Sequence, residues 1–377
     1  MKIGLDLAQS ASTRAGGGRY AQTLLEAMAR LPHNDEFICY RSFANWINPP
    51  ESIAKLPNLS RGGDPQDHAK TESVIREWRE ALATGDFPGT PEIVHATSFQ
   101  APRVRNAALV VSIFDFSFWA VPQFTTDRIR YDCQQGVLDS LAHANGLIFI
   151  SEHARGEFDH FIPNFERKAK VKSAVIPLAS FLPRLTKLSN EGTGEFWLFV
   201  GTQEPRKNLQ TLLTAFERYV NQVESPLALW IAGGEGWLES SWQEQLRRLE
   251  SRGLVRRLGY VSDAELVKFY RKARALFLPS WYEGFGLPVI EAMSQGCPVV
   301  CSNRTSLPEI AGRAAILLDP SQPTLWTEAL IELHDHDERR EDLATNGMAQ
   351  ASKFSWENTA KLTRNFYEEV LASHKGF

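Results

Sequence analysis

The sequence predicts an α/β protein built on two parallel sheets. Short apolar runs recur with the two-residue period of strands. They alternate with stretches whose apolar residues return every three to four positions, and loops rich in Gly or Pro join the two. Strands that alternate with amphipathic helices build parallel sheets with helices on their faces. A chain of 377 residues has room for two such domains at about 100–200 residues each.

The first strand is Lys2–Leu7, followed by a loop to Gly18 and a helix with Leu24, Leu25, Met28 and Leu31 on one face. "EIVHA", "ALVVSIF", "GLIFIS" and "KSAVIP" are the further strands of this half. A polar stretch from Leu182 to Glu195, holding a proline and two glycines, breaks the pattern. The expected domains are therefore 1–185 and 195–354. The second opens with "FWLFVG", the loop "TQEPRKN" and a helix carrying Leu209, Leu212, Leu213, Phe216 and Val220. "LALWIAG" comes next, then "ALFLP", the loop "SWYEGFG", a helix from about Pro288, "PVVCS" and "AAILL". Ligands of open α/β sheets sit beyond the carboxyl ends of strands, so the loops that leave those ends are where chemistry is expected.

Composition removes several functions. A net charge of −4 supplies no basic footprint for nucleic acid. Cys39, Cys133, Cys297 and Cys301 have neither metal-ligand nor redox spacing, which suits a reducing compartment. The opening "MKIGLDLAQS" does not read as a signal peptide, because Asp6 interrupts a short apolar segment. No apolar run approaches the roughly 18 residues of a membrane span. The expected location is the cytoplasm.

Three helix starts carry an unusual charge pattern. A helix N-terminus bears partial positive charge and free N–H groups, so it attracts anions. Yet Arg206 and Lys207 precede the helix near Asn208, and Arg19 follows Gly16-Gly17-Gly18 in the first turn of helix one. A bound phosphate would offset those cations; side chains pointing into water are the bland alternative. At the third start, Gly284 and Gly286 allow close backbone approach and Pro288 suits the first helical position. Glu291 there reads equally as a first-turn acid that stabilises the helix, the device repeated by Glu309 after Pro308. Glu283 differs, since it lies in the loop, where a turn needs no acid.

Together "GTQEPRKNL", "LGYVSDAEL", "PSWYEGFGLPVIEAMSQGCPVV" and "SNRTSLPEIAG" resemble the retaining family-4 glycosyltransferases of bacteria. Looser matches in the first half are "GGGRY", "EIVHA", "VVSIFDFSFWAVP" and "GLIFISEHAR". The resemblance implies the GT-B fold: two Rossmann-like domains with parallel sheets facing across a cleft. It also implies a C-terminal helix, here about 355–377, that packs back on the first domain.

The implied reaction moves a sugar from a nucleoside-diphosphate donor with retained anomeric configuration, without metal or cofactor. The family's E-x7-E pair falls on Glu283, expected near the donor sugar, and Glu291, expected near the ribose. The backbone of Gly284, Phe285, Gly286 and Leu287 would approach sugar and diphosphate, with Thr202 a further donor contact. Lys207 and Arg206 would hold the diphosphate as charge grows on it, and Gly17 and Gly18 would cap it from the other domain. Tyr260 and Val261 would lie against the nucleobase. Ser262 and Glu265 fit a capping box for the helix that follows.

One departure stands out. The family commonly has His-Asp after the strand that here reads "LVVSI", and this chain has Phe114-Asp115. Asp115 remains a candidate for catalysis, while His95, Phe114 and Arg19, with Thr97 and Ser98, are acceptor-side candidates. Phe114, Phe116 and Phe118 alternate as on an extended segment. Either they form a buried strand face, or they are an apolar site for a lipid-linked acceptor or a peripheral membrane contact.

The resemblance is to the mannosyltransferase branch, so the expected donor is GDP-mannose and the acceptor a saccharide or lipid-linked saccharide of a surface polysaccharide such as lipopolysaccharide. A UDP-sugar donor is the alternative, as is a nucleotide-sugar-binding protein whose chemistry Phe114 has impaired. An NAD-dependent oxidoreductase fits poorly, because the glycines are consecutive rather than G-x-G-x-x-G.

Overall fold

The computed structural model describes residues 1–8, 16–40, 42–43, 46–47, 59–60, 80–81, 83–165, 171–185, 194–236 and 242–374. Most of the expected linker, 186–193, and the last residues of the expected C-terminal helix, 375–377, lie outside them. The chain divides into two compact units, Met1–Leu178 with Ser355–Phe377, and Ala179–Phe354.

Unit one holds β1 (Lys2–Asp6), α1 (Gly16–Ala29), β2 (Glu36–Tyr40), a small antiparallel hairpin of β3 (Ser42–Phe43) and β4 (Trp46–Ile47), β5 (Leu59–Ser60) and β6 (Ile93–Ala96). There follow β7 (Ala108–Ile113), α2 (Ser117–Ala120), α3 (Asp127–Leu141), β8 (Gly146–Phe149), α4 (Glu152–Phe161) and β9 (Lys172–Val175). The sheet order is β5-β2-β1-β6-β7-β8-β9, with parallel pairing throughout. Unit two follows with β10 (Phe196–Val200), α5 (Leu209–Val220), β11 (Leu229–Ala232), α6 (Gln243–Ser251), β12 (Val255–Gly259), α7 (Asp263–Lys272) and β13 (Ala273–Leu278). It closes with α8 (Leu287–Ser294), β14 (Val299–Ser302), α9 (Leu307–Ala311), β15 (Ile316–Leu318), α10 (Pro323–Asp335) and α11 (Asp337–Ala351). Its sheet order is β12-β11-β10-β13-β14-β15, again parallel.

In both sheets the first strand lies inside, the next strands of the sheet run to one side, and the chain then returns to fill the other. That reversal is the doubly wound Rossmann order, and it opens a crevice at the carboxyl ends beside the first strand. The sequence supports it locally. Strand β7, "ALVVSI", is buried along its whole length, as expected of a strand covered on both faces. Helix α5 buries Leu209, Leu212, Leu213, Phe216 and Tyr219 completely, each stabilising by about 1.5–3 kcal/mol relative to exposure.

The final helix, α12 (Trp356–His374), belongs to unit one. Its buried residues Thr359, Thr363, Phe366, Tyr367, Val370 and Leu371 recur every three or four positions, and it packs on α1, β7 and β9. Gly146 makes room for it: a Cβ there would meet Val370 Cγ2 at 2.7 Å and the Phe366 ring at 3.0 Å.

Two local expectations change. Helix α1 already begins at Gly16, so Gly17 and Gly18 form its first turn rather than the loop before it. Strand β7 ends at Ile113, and Phe118 lies on the helical turn α2, so Phe114–Phe118 is not extended. Phe116 and Phe118 are nevertheless core, in a cluster with Trp119, Phe158 and Phe161. No described helix is long and apolar enough to cross a membrane.

Candidate active site

The chain reverses direction in unit two between β10 and β13, and the loops that leave there are Gly201–Asn208 and Pro279–Gly286. They are tied to each other. Asn208 sits at φ +55°, uncommon for a residue other than glycine. Its side chain donates to the carbonyls of Pro279 (3.0 Å) and Pro320 (2.9 Å), which holds it in that conformation. The Trp281 N–H donates to the Arg206 carbonyl at 2.9 Å. On the far side, Ser306 Oγ lies 2.8 Å from the Glu283 carbonyl and 2.9 Å from that of Phe285, and Thr305 Oγ accepts the Glu283 N–H at 3.1 Å.

This scaffold carries a charge cluster. The turn Pro205–Lys207 brings both cations to one place. Lys207 Nζ donates to Glu283 Oε1 at 2.7 Å and Oε2 at 2.9 Å. Arg206 donates to Glu204 at 2.5 Å, to the Tyr282 carbonyl at 2.7 Å, and more distantly to Glu283 at 3.4 Å. Ser280 Oγ donates to Glu283 Oε1 at 2.7 Å. Burial pushes the Glu283 pKa up, but Lys207, Arg206 and the Ser280 hydroxyl more than offset it, leaving the carboxyl below its ordinary range. Glu283, Lys207 and Glu204 are all buried. Arg206 and Lys207, read from sequence as offset by a bound phosphate or as pointing into water, have two protein carboxylates as partners, Glu283 and Glu204. Sequence reasoning named the first for another role and missed the second, as it missed Ser280, Thr305 and Ser306.

Helix α8 begins beside Glu283, at Leu287, with Gly286 as its N-cap. Its first turn contains no acid, so Glu291 is not the first-turn residue the sequence suggested. Glu291 lies one turn further in, buried, and accepts from the Tyr270 hydroxyl at 3.3 Å. Gly286 has φ +105°, and a Cβ there would come within 2.6 Å of Leu307 Cδ2. Gly286→Val is therefore expected to cost about 2–4 kcal/mol in a urea titration, and to lower activity by moving the Glu283 carbonyl off Ser306. An unchanged midpoint would mean the loop absorbs the strain.

Of the remaining donor-side candidates, Thr202, Tyr260, Val261 and Phe285 belong to unit two. Thr202 follows β10 and is half-buried, Tyr260 is exposed after β12 with Val261 half-buried beside it, and Phe285 packs edge-on against Phe354. Ser262 and Glu265 form the capping box of α7 as expected.

In unit one, Gly17, Gly18 and Arg19 form the start of α1. Asp115 Oδ1 accepts the Ser117 N–H at 2.9 Å and its hydroxyl at 2.8 Å, closing the turn after β7. Phe114 packs edge-on against Tyr20 at 5.2 Å. Thr97 and Ser98 are buried, and Thr97 Oγ donates to the Asp6 carbonyl. His95 requires a correction. It is fully buried, Nδ1 lies 2.6 Å from Tyr367 Oη, and Nε2 lies 2.7 Å from Ser112 Oγ, which meets Tyr20 Oη at 3.0 Å. With both ring nitrogens used inside unit one, it is an internal tie between sheet and α12 rather than an acceptor contact.

The chain resembles a known protein over most of its length. It is 34% identical to the O-antigen chain mannosyltransferase B of Escherichia coli, across 94% of this chain and 96% of that one. Residues 185–350 match the model of the glycosyl transferases group 1 family. The chain belongs to the group 1 glycosyltransferases. The matched span includes every donor-side candidate of unit two, from Thr202 to Glu291. The serotype-specific mannosyltransferase WbdA of Escherichia coli is 32% identical over 197 residues, 48% of this chain and 22% of that protein. Among solved structures, the sucrose-phosphate synthase of Thermosynechococcus elongatus superposes with a TM-score of 0.71 at 20% identity, over 99% of this chain and 100% of that one. That neighbour supports the fold of this group 1 glycosyltransferase, which is GT-B with two Rossmann-like units.

Proposed function

We propose that the enzyme is a retaining mannosyltransferase that moves mannose from GDP-mannose to a saccharide or lipid-linked saccharide during surface polysaccharide synthesis. The observation that carries this reading is the cluster of Lys207, Arg206 and Glu283 at the reversal point of unit two, beside the N-terminus of α8. The full-length likeness to a protein named as an O-antigen mannosyltransferase supports the sugar and the pathway class.

The chemistry follows from the charges. As the glycosidic bond to the diphosphate breaks, positive charge develops on the sugar ring and negative charge on the leaving phosphate. Cations and N–H groups already in place stabilise that growing charge without reorganising. Lys207, Arg206 and the start of α8 fill that role, so this reading needs no metal ion. Glu283 accepts hydrogen bonds from the sugar hydroxyls and Glu291 from the ribose. Tyr260 and Val261 flank the base. Asp115 is the catalytic candidate of unit one. The reaction takes place in the cytoplasm, at the inner face of the plasma membrane when the acceptor is lipid-linked.

A second reading, a nucleotide-sugar-binding protein without transfer, is favoured by one observation: Phe114 occupies the family's usual histidine position and packs on Tyr20. A thermal-shift panel of GDP-mannose, GDP, UDP-glucose and UDP separates the donors, since a ligand stabilises according to its affinity and concentration. GDP-mannose and GDP are expected to raise Tm and the UDP compounds to leave it unchanged. Shifts with UDP compounds alone would replace the donor, and no shift at all would remove the donor site. Release of mannose to an extract of lipid-linked saccharide then separates the enzyme from the binding protein.

A further inference from the structure

The cations of the Gly201–Asn208 loop are already neutralised by the protein. Lys207 gives hydrogen bonds to both oxygens of Glu283, and Arg206 divides its guanidinium between Glu204 and Glu283. Two cations and two carboxylates leave the cluster without net charge. A diphosphate group brings about two further negative charges at neutral pH. Against a neutral, buried cluster it gains little unless it takes over hydrogen bonds that a carboxylate now accepts. Glu283 is the carboxylate placed to yield them. Its contact to Arg206 is the longer one, and Ser280 Oγ at 2.7 Å continues to hold Oε1 if Lys207 turns away. The Glu204 carboxylate meets Arg206 on the other guanidinium nitrogen, and Glu204 touches Lys207 through the backbone, its carbonyl accepting the Lys207 N–H at 3.0 Å.

We infer that Glu283 is a resident competitor for the diphosphate: it holds Lys207 before the donor arrives, releases it to the phosphates, and returns to Lys207 to help expel the nucleoside diphosphate product. This inference rests on the donor-site reading above. It gives Glu283 a second task besides its contact with the sugar, and it builds a weakened hold on product into the site. The exchange is one of hydrogen bonds only, with no bond made or broken.

The test is calorimetric binding of GDP to the full chain and to Glu283→Gln, Lys207→Gln and the double variant, with circular dichroism melts alongside. Glu283→Gln is expected to bind GDP about tenfold more tightly, the scale of one charge-assisted hydrogen bond no longer contested, while sugar transfer falls. In the Lys207→Gln background the same change should alter GDP affinity by less than about twofold, because the competition runs through Lys207. Equal or weaker GDP binding by Glu283→Gln, with wild type binding normally, overturns the competitor role and leaves the donor site standing. An equal gain in both backgrounds also overturns it, pointing to a general loss of negative charge. GDP binding by neither wild type nor variant overturns the donor site and this inference together. If Glu283→Gln does not fold, Glu283→Asp, which shortens the reach to Lys207, is expected to show the same tightening in smaller measure.

Discussion

Lys207→Ala is expected to lower kcat/KM for sugar transfer by about 10²–10³-fold, the usual cost of removing one preplaced charge-stabilising group. It should also destabilise unit two by about 3–5 kcal/mol, because it leaves Glu283 buried without its main counter-ion. The two effects have different origins, and a second variant separates them. Replacing the pair together, Lys207→Met with Glu283→Leu, removes both buried charges and fills similar volume. Buried ion pairs exchanged for packed apolar residues are often neutral in stability, so the double variant should recover most of the lost urea midpoint. It should recover none of the activity. Transfer by Lys207→Ala within about threefold of wild type would mean that Lys207 is structural and that charge on the leaving group is met elsewhere. Failure of the double variant to regain stability would mean that the hydroxyl of Ser280 and the Arg206 guanidinium cannot tolerate loss of the carboxylate.

The second large effect concerns acid. Burial pushes the His95 pKa down to about 3 from an ordinary 6.5. Between those values the unfolded chain binds a proton that the folded one does not, so His95 makes stability fall as pH falls from about 6.5 to 3. Asp6, buried beneath Thr97 at the end of β1, behaves oppositely. Burial raises its pKa from 3.8 to about 7, against the hydrogen bonds from Ala8 and Thr97. Between about 3.8 and 7 the folded state holds the extra proton, and stability falls as pH rises. From pH 4 to 6.5 the two slopes therefore nearly cancel in wild type. Asp6→Asn keeps an acceptor for the Ala8 N–H and removes one slope. Its stability should rise by about 3 kcal/mol from pH 4 to 6.5, where wild type stays nearly flat. Urea titrations of both proteins at those pH values decide it, and parallel curves would show that one of the two groups reaches water. Glu283, held below its ordinary pKa of 4.5, adds a loss of stability as pH falls through that value.

Much of the fold was legible. Every strand proposed from an apolar run lies in a sheet, because runs such as "FWLFV" and "ALVVSI" are covered on both faces and must be apolar throughout. The strands that were missed are instructive. Strand β12 is "VRRLG", with Arg256 and Arg257 exposed. It lies at the edge of its sheet, where burial no longer enforces an apolar sequence. Strand β2, "EFICY", is short and has no alternation, which makes it indistinguishable from a turn of buried helix.

The site was legible in part. The loops with Lys207 and Glu283 announced themselves by residues that a turn or a helix start does not need. Glu204 stood in the same loop as Arg206 and carried a signal that was passed over: a carboxylate two residues from a cation, before a proline. Ser306 carried none, since it reaches Glu283 across 23 residues of chain. His95 misled for a related reason. A histidine at a strand end has the same local sequence whether it faces a ligand or α12, and the helix that accepts it lies 272 residues further on.

The sequence by itself determined the alternation of strand and helix, the loops that carry chemistry, and the residue types those loops offer. These are local properties, fixed by backbone period, by the conformational limits of Gly and Pro, and by which side chains can hold charge. Only the tertiary structure decided who meets whom. Lys207 and Glu283 are 76 residues apart and become an ion pair because β10 and β13 are neighbours in the sheet. Strand order is set by the packing of the whole unit, which no window of sequence contains. So a pair of residues legible as a cation and an acid became, in the fold, one buried ion pair.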